Sequence, residues 1–138
     1  MAVTSTSFYP QSVNNAAVSI TSALAGSPQT IVSAGTNGSR IDWVNLFTTD
    51  TSANTLTFNL YNGTTQYPLA VLTLPLGSGN TGTVPPVALF ASSQFPSFTF
   101  DGNGNKFLYL QNGWSLTCTA TAVTAVKTVT ILAQYENF

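Results

Sequence analysis

The chain has 138 residues, and its charged side chains, three basic and four acidic, make up only 5% of it. A chain of this length suits one domain with its own core, and three dispersed cations cannot neutralise a nucleic-acid backbone or an anionic membrane surface. Because histidine is absent and cysteine occurs once, transition-metal sites and the usual general acid–base catalysts are excluded as well.

The chain begins with a small, polar segment at residues 1–12, which predicts an N-terminal arm anchored by Phe8 and Tyr9. Its first residues lack the basic and apolar regions of a secretory signal, so we expect synthesis in the host cytoplasm. Residues 13–138 follow as a single predicted β-sandwich domain.

The remainder of the chain alternates between apolar and polar residues in short segments that Gly, Pro and Asn interrupt, a pattern typical of antiparallel strands. The clearest pair surrounds Asn62-Gly63, a dipeptide typical of hairpin turns. A shift in apolar phase between Trp43 and Val44 predicts a bulge, and 85–91 allows one short helical turn. The predicted strands cover 16–21, 29–33, 40–47, 55–61, 67–74, 98–100, 106–110, 114–122 and 126–135.

This spacing of strands and turns predicts an all-β fold, an antiparallel β-sandwich of about eight strands that is jelly-roll-like in its long connections. No helix of normal length interrupts the strands, which excludes a parallel α/β sheet. Cys118 shares the phase of Leu116 and is expected to be a small buried side chain rather than a reactive thiol.

Few residues have the chemistry of a catalytic or metal site. Asp42 and Asp50 are close enough in sequence to suggest a glycosidase-like pair, but alternation places Asp42 on the solvent face. The segment 101–105 reads Asp-x-Asn-x-Asn, like the start of a calcium loop, yet Lys106 and Asn112 stand where Gly and Glu are required. We therefore expect a hairpin turn there, no metal, no cofactor, and a chain that is not an enzyme.

Aromatic side chains are the remaining candidates for a binding surface. Each tryptophan shares the phase of a neighbouring apolar residue, which predicts that Trp43 and Trp114 lie in the core. Tyr61 and Tyr67 flank the predicted turn and are expected to be exposed, where they suit a protein interface or a sugar. The candidate protein-contact residues, taken from the chain ends and this hairpin, are Phe8, Tyr9, Tyr61, Tyr67, Tyr135 and Phe138.

Two stretches carry a further pattern. The turn Gly-Thr-Asn-Gly-Ser-Arg-Ile at 35–41 leads into an apolar strand and then into Leu-Tyr-Asn-Gly at 60–63. Later, the turn at 101–105 leads into Lys-Phe-Leu-Tyr-Leu, followed by Gly-Trp-Ser-Leu at 113–116 and Ala-Val-Thr-Ala-Val-Lys-Thr-Val-Thr at 122–130. Over about residues 13–135 this pattern resembles the capsid cement (decoration) proteins of tailed bacteriophages with podophage-like heads.

The resemblance implies a structural virion protein on the outer capsid surface that clamps adjacent major capsid protein subunits. Its partners would be the major capsid protein and a second copy of itself, as a dimer at two-fold positions, with no nucleic acid and no membrane. So low a charge fits an assembly subunit, because identical copies repel one another only weakly. The alternative is a carbohydrate- or receptor-binding β-sandwich of a fibre or spike; a pilus or surface-layer subunit would need a secretion signal.

Overall fold

The computed structural model describes residues 10–96 and 100–138, and within these ranges the chain forms nine strands and one short 3₁₀ turn. The strands are β1 (Ser12–Thr21), β2 (Gln29–Ser33), β3 (Ser39–Thr48), β4 (Asn54–Tyr61), β5 (Gln66–Leu74), β6 (Val87–Ala88), β7 (Leu108–Leu110), β8 (Ser115–Ala120) and β9 (Thr128–Asn137). The 3₁₀ turn, Leu89–Ala91, lies where the sequence allowed a helical turn. The described residues contain no helix long and apolar enough to span a membrane.

The strands form two antiparallel sheets that enclose one apolar core. The first sheet has the order β1-β9-β3, with β6 and β7 both paired to the outer edge of β3; the second has the order β2-β8-β4-β5. The first strand therefore pairs with the last, β2 pairs with β8, β3 pairs with β7, and the innermost pair is the β4–β5 hairpin. This is the strand pairing of a jelly roll. The predicted antiparallel β-sandwich is confirmed.

The β4–β5 hairpin shows why these residues form strands. Leu56 and Phe58 of β4 are fully buried, whereas Thr55, which faces away from the core, is exposed. Burying each such apolar side chain contributes about 1.5–3 kcal/mol. The side chain of Asn62 accepts the main-chain N–H groups of Thr64 and Thr65 at 3.0 and 2.7 Å, which closes the turn. The predicted hairpin is confirmed, and each strand begins one residue before its predicted start.

The predicted bulge in β3 is present, but it lies one residue earlier than the sequence suggested. Ile41 and Trp43 oppose consecutive residues of β9, so Asp42 is the extra residue. This insertion reverses the alternation: Ile41 and Val44 are buried, whereas Trp43 is 37% exposed. The prediction that Trp43 lies in the core is therefore wrong, and its indole N–H donates to Gln134 Oε1 at 2.8 Å on the outer face of the sheet.

Two predicted segments coincide only in part with the described structure. Strand β1 already begins at Ser12, and the N–H of Gln11 donates to the carbonyl oxygen of Asn137 at 2.8 Å, so the end of the predicted arm is paired. Of the predicted strand 98–100, residues 98 and 99 lie outside the described ranges. Phe100 makes a single antiparallel bridge to Lys106, and regular pairing begins only at β7.

Cys118 lies on β8 and is fully buried, as predicted. Burial raises the pKa of its thiol to about 12, so the nucleophilic thiolate does not form near neutral pH. The side chain packs as a small apolar group of the core.

The sandwich has two ends. The loops 34–38, 62–65 and 111–114 meet at one end, together with the start of β1 and the end of β9, and we call it the aromatic end. The loops 22–28, 49–53, 75–86 and 121–127 meet at the opposite end, which we call the polar end.

Candidate functional site

The aromatic end is fixed by polar contacts between the loop 34–38 and the last residues of β9. Asn137 lies opposite both Ser12 and Ser39 in the first sheet. The hydroxyl of Ser39 donates to Asn137 Oδ1 at 2.6 Å and accepts the N–H of Gly35 at 2.9 Å. Because Ser39 is fully buried, these bonds hold the loop in one position against β9.

Gly38 lets this loop approach β7. Its φ is +95°, and a Cβ atom there would lie 2.9 Å from the carbonyl oxygen of Leu110. Any other residue would therefore strain the backbone and push the loop outward. The carbonyl oxygen of Gly38 also accepts the N–H of Phe138 at 3.3 Å, which places the Phe138 ring at this end.

Tyr67 and Trp114 form a stacked pair at the surface. Their ring centroids are 5.8 Å apart, and their planes differ by 27°. Tyr67 is 45% exposed, as predicted, whereas Tyr61 is half-buried and donates its hydroxyl to the carbonyl oxygen of Gly63 at 2.8 Å. The prediction that Trp114 lies in the core is wrong: it precedes β8, is half-buried, and backs the exposed tyrosine.

A second aromatic group surrounds Tyr109 on β7. Tyr109 is 55% exposed; its ring centroid lies 5.0 Å from that of Phe107, edge to face, and 5.9 Å from that of Phe138. The guanidinium of Arg40 lies 4.4 Å from the centroid of the Phe107 ring, a cation–π contact that stabilises the position of this ring. In the sequence, Tyr109 is one of the aromatic residues that could form a sugar-stacking surface, but it is not among the candidate protein-contact residues. Its place between two leucines of a short strand signals an outward-facing residue.

Two clefts open at the aromatic end, on either side of the end of β7. Their volumes are about 320 and 200 Å³. The larger is lined by Asn37, Gly38, Ser39 and Phe138, the smaller by Leu60 and Trp114, and both by Tyr109, Leu110 and Gln111. The phenol of Tyr109 is the one titratable side chain among these lining residues; the other side chains offer rings, apolar surface, amides and a hydroxyl.

Some of the predicted contact residues lie together in the structure. Tyr61, Tyr67 and Phe138 lie at the aromatic end, although they are distant in sequence. Tyr135 is half-buried and packs against the core from β9, which leaves less of it to contact a partner. Phe8 and Tyr9 lie outside the described residues, so their role stays a prediction.

A third cleft, of about 440 Å³, lies beside β3 on the outer face of the first sheet. Two exposed rings line it, those of Trp43 and Phe100, which are 37% and 52% exposed. Asp42, Asn105 and Lys106 add a carboxylate, an amide and an amine to the same lining. Rings beside convergent polar groups are typical of small-ligand sites.

Charged residues gather around this cleft. The Nε atom of Arg40 lies 2.8 Å from Asp42 Oδ1; the two groups form an ion pair, but their angle is not that of a hydrogen bond. The Nη2 atom of Arg40 lies 4.0 Å from Asp101 Oδ2. The Asp101 carboxylate also accepts the N–H groups of Asn105 and Asn103, at 2.8 and 2.9 Å. These bonds, that from Asn105 foremost, hold the pKa of Asp101 below its usual range.

These contacts close the predicted hairpin turn at 101–105, because the carboxylate oxygens of Asp101 accept hydrogen bonds from residues of the turn itself. In residues 10–96 and 100–138, no group of three or more His, Cys, Asp or Glu side chains is arranged to hold a metal ion.

Asp50 organises the polar end. It is 2% exposed, and its carboxylate accepts the N–H and hydroxyl of Thr124 at 2.8 and 2.7 Å, the amide of Asn54 at 3.0 Å, and the N–H of Ser52 at 3.1 Å. The main-chain bond from Thr124 is the largest cause that holds the pKa of Asp50 well below its usual range. The ionised carboxylate thereby joins the loop 49–53 to the loop 121–127.

Asp42 and Asp50 do not form the carboxylate pair that their spacing suggested. Asp42 lies near the start of β3 and Asp50 follows its end. The six strand positions from Asp42 to Thr48 alone span about 20 Å. That distance exceeds the about 5–9.5 Å between paired carboxylates of glycosidases.

No protein-family model matches the chain, and no curated protein matches it with significant similarity.

Proposed function

We propose that this chain is a structural virion protein that binds the outer surface of a tailed-phage capsid and clamps adjacent major capsid protein subunits. The observation that carries the proposal is the convergence of the exposed rings of Tyr67 and Tyr109 on one end of the sandwich. Aromatic rings are enriched, and charges depleted, at the centres of protein interfaces. The motif resemblance to capsid cement proteins supports the major capsid protein as the partner.

The absence of charged side chains from the loops of the aromatic end supports docking there. The loops 34–38, 62–65 and 111–114 contain no Asp, Glu, Lys or Arg. A partner that covers these loops removes none of their side chains as an ion from water, a step that would oppose binding by several kcal/mol. The charged residues of this end, Arg40 and Glu136, lie on the adjoining strands β3 and β9. The exposed halves of Tyr67 and Tyr109 would contribute about 1–2 kcal/mol each when covered.

Contacts of this size suit a clamp that acts in many copies. Each docking event can be weak by itself, because the shell presents many identical sites and a subunit that touches two neighbours gains from the high local concentration of the second site. The mechanism needs binding and position only, and it assigns no catalytic role to any residue.

The test is co-sedimentation of the purified chain with mature capsids from its own source that lack it, together with thermal disruption of those capsids. We expect saturable binding and a higher disruption temperature. A Tyr67→Ser, Tyr109→Ser double variant should bind at least about tenfold more weakly, as expected when central aromatic residues are truncated.

The matched control is a Leu24→Ser, Val126→Ser double variant, which removes two exposed apolar side chains at the polar end. It should bind capsids like the unchanged chain. If the unchanged chain does not bind capsids, the cement proposal is wrong; if both double variants lose binding equally, the aromatic end is not the docking surface.

A carbohydrate-binding role is the second candidate, and the cleft beside β3 favours it. The rings of Trp43 and Phe100 supply stacking surfaces, and Asp42, Asn105 and Lys106 supply groups that can bond sugar hydroxyls. Its volume of about 440 Å³ is sufficient for a small oligosaccharide.

A glycan array tests this second role. Binding of a defined glycan that Trp43→Ala abolishes, while the Tyr67→Ser, Tyr109→Ser variant retains it, would establish the cleft as a sugar site. An array without specific binding would exclude the candidate for the glycans tested.

A further inference from the structure

The four outer edges of the two sheets differ in how they are protected against pairing with another strand. The outer edge of β3 is covered by β6 and β7. At the edge of the second sheet, β5 carries Pro68, which lacks an N–H group. The other edge strand of that sheet, β2, has only five residues and is interrupted by a bulge between Thr30 and Val32. Covering, proline, short length and bulges are the devices by which natural sheets block their edges.

Strand β1 has none of these devices along its ten residues. It pairs with β9 in one uninterrupted register from Ser12 to Thr21, and no other described strand pairs with it. It contains no proline and no charged residue. Every second N–H and C=O group of an edge strand points away from its one neighbour. From Val13 to Ser19, the groups of β1 that point away from β9 have no backbone partner among the described residues.

The side chains of β1 also leave apolar surface uncovered at this edge. Ala16 and Val18 point toward the core but remain half-exposed, and on the outer face Val13 is 61% exposed and Ala17 is exposed. A further strand beside β1 would cover both faces while it satisfied the backbone groups.

We propose that β1 pairs antiparallel with β1 of a second copy of this chain, which joins the two first sheets into one continuous sheet. This inference names the surface of the self-association expected for the proposed function. An unprotected edge strand can pair with another extended strand, and antiparallel pairing of two identical strands generates a two-fold axis. Because β1 carries no charge, no register of this pairing places like charges opposite one another.

The pairing fixes where the docking surfaces point. Strand β1 runs from the aromatic end to the polar end, so antiparallel copies present their aromatic ends in opposite directions. With full overlap of the ten residues, the two aromatic ends lie about 35 Å apart. A dimer of this shape can touch two different capsid subunits across a two-fold position.

Sedimentation velocity of the full chain in the absence of capsids tests the proposal. We expect a dimer, and Ala17→Lys, which adds an edge lysine on the outer face of β1, should raise its dissociation constant at least about tenfold. Val71→Lys is the matched control, because Val71 is an exposed outer-face residue of the edge strand β5. It should leave the dimer unchanged. A monomeric unchanged chain, or a dimer that Val71→Lys weakens and Ala17→Lys does not, would overturn the proposal.

Hydrogen exchange on the unchanged chain gives a second measurement that does not depend on the folding of a variant. In the dimer, all amides in the middle of β1 should be protected, whereas an unpaired edge protects only alternate amides. Full protection in a particle that sediments as a monomer would refute pairing between copies, because a segment of the same chain would then occupy the edge. Capsid co-sedimentation separates the two hypotheses: a β1 dimer that does not bind shells would refute the cement role alone.

Discussion

The two ends of the sandwich use their side chains in opposite ways. At the polar end, the buried carboxylate of Asp50 accepts bonds from Thr124, Asn54 and Ser52, so its polar groups are satisfied within the chain. At the aromatic end, Tyr67 and Tyr109 place their rings against other rings and leave about half of their surface in water. The difference indicates that the polar end stabilises the fold, whereas the aromatic end leaves ring surface exposed that the partner we propose would cover.

Replacing the central carboxylate should produce the largest loss of stability. Asp50→Ala leaves the N–H and hydroxyl of Thr124 and the amide of Asn54 without their acceptor, so we expect the free energy of unfolding to fall by about 3 kcal/mol. Urea unfolding followed by circular dichroism measures it. Asp101→Ala is the control, because that carboxylate accepts bonds within an exposed turn and its loss should lower the free energy of unfolding much less. Equal losses would contradict the stabilising role of the polar end.

Acid should weaken the polar end through the same residue. The pKa of Asp50 is well below its usual range in the folded chain and about 4 in the unfolded chain, so the unfolded chain takes up the proton first as the pH falls. The free energy of unfolding should therefore be constant above about pH 5 and decrease below about pH 4, by up to about 1.4 kcal/mol per pH unit for this proton.

Urea unfolding of the unchanged chain and of Asp50→Asn between about pH 3 and pH 6 measures this dependence. The variant should keep only a smaller slope, because the pKa of Asp101 is also lowered in the folded chain. Identical slopes in the two proteins would show that Asp50 is not the source of the acid sensitivity.

Removing a ring at the aromatic end should affect stability much less than capsid binding. Tyr67→Ser removes the stacking on Trp114, which contributes about 1 kcal/mol to the free energy of unfolding. Urea unfolding and capsid co-sedimentation of the same preparation give the two values. A loss of stability as large as that of Asp50→Ala would remove the distinction between the ends.

The smallest expected effect is a gain of stability in the loop 121–127. Val126 has a φ of 59°, a left-handed conformation that is strained for a β-branched residue, and its side chain is 98% exposed. Val126→Asn should raise the free energy of unfolding by about 0.5–1 kcal/mol, because asparagine adopts this conformation more readily. Thermal unfolding measures the change; a loss of stability would show that the valine makes a favourable contact.

Much of the fold could be predicted from local alternation, because one buried face gives each strand a period of two. The β4–β5 hairpin is the clearest case: Leu56 and Phe58 alternate with threonine, and Asn62-Gly63 marks the turn. Trp43 could not be placed in this way. Ile41, Asp42 and Trp43 permit a bulge at more than one position, and the choice depends on pairing with β9, which is distant in sequence.

The candidate site was predictable only in part for the same reason. Tyr67 is beside a turn and could be recognised as exposed from its neighbours alone. Tyr109 meets Phe138, and Tyr67 meets Trp114, only because β7, β8 and β9 place distant segments at one end of the sandwich. The buried role of Asp50 likewise depends on Thr124, which is 74 positions later in the chain.

The pairing of β1 with β9 also sets the order in which the molecule can be completed during synthesis. Residue 12 lies opposite residue 137, so β1 has no strand partner until residues 128–137 have left the ribosome. Contacts over such separations form slowly, because the intervening chain must first be ordered. Until then β1 has two open edges and no charged residue to discourage contact with other nascent chains. The hairpin β4–β5, which closes locally, is therefore expected to form early, and the first sheet last.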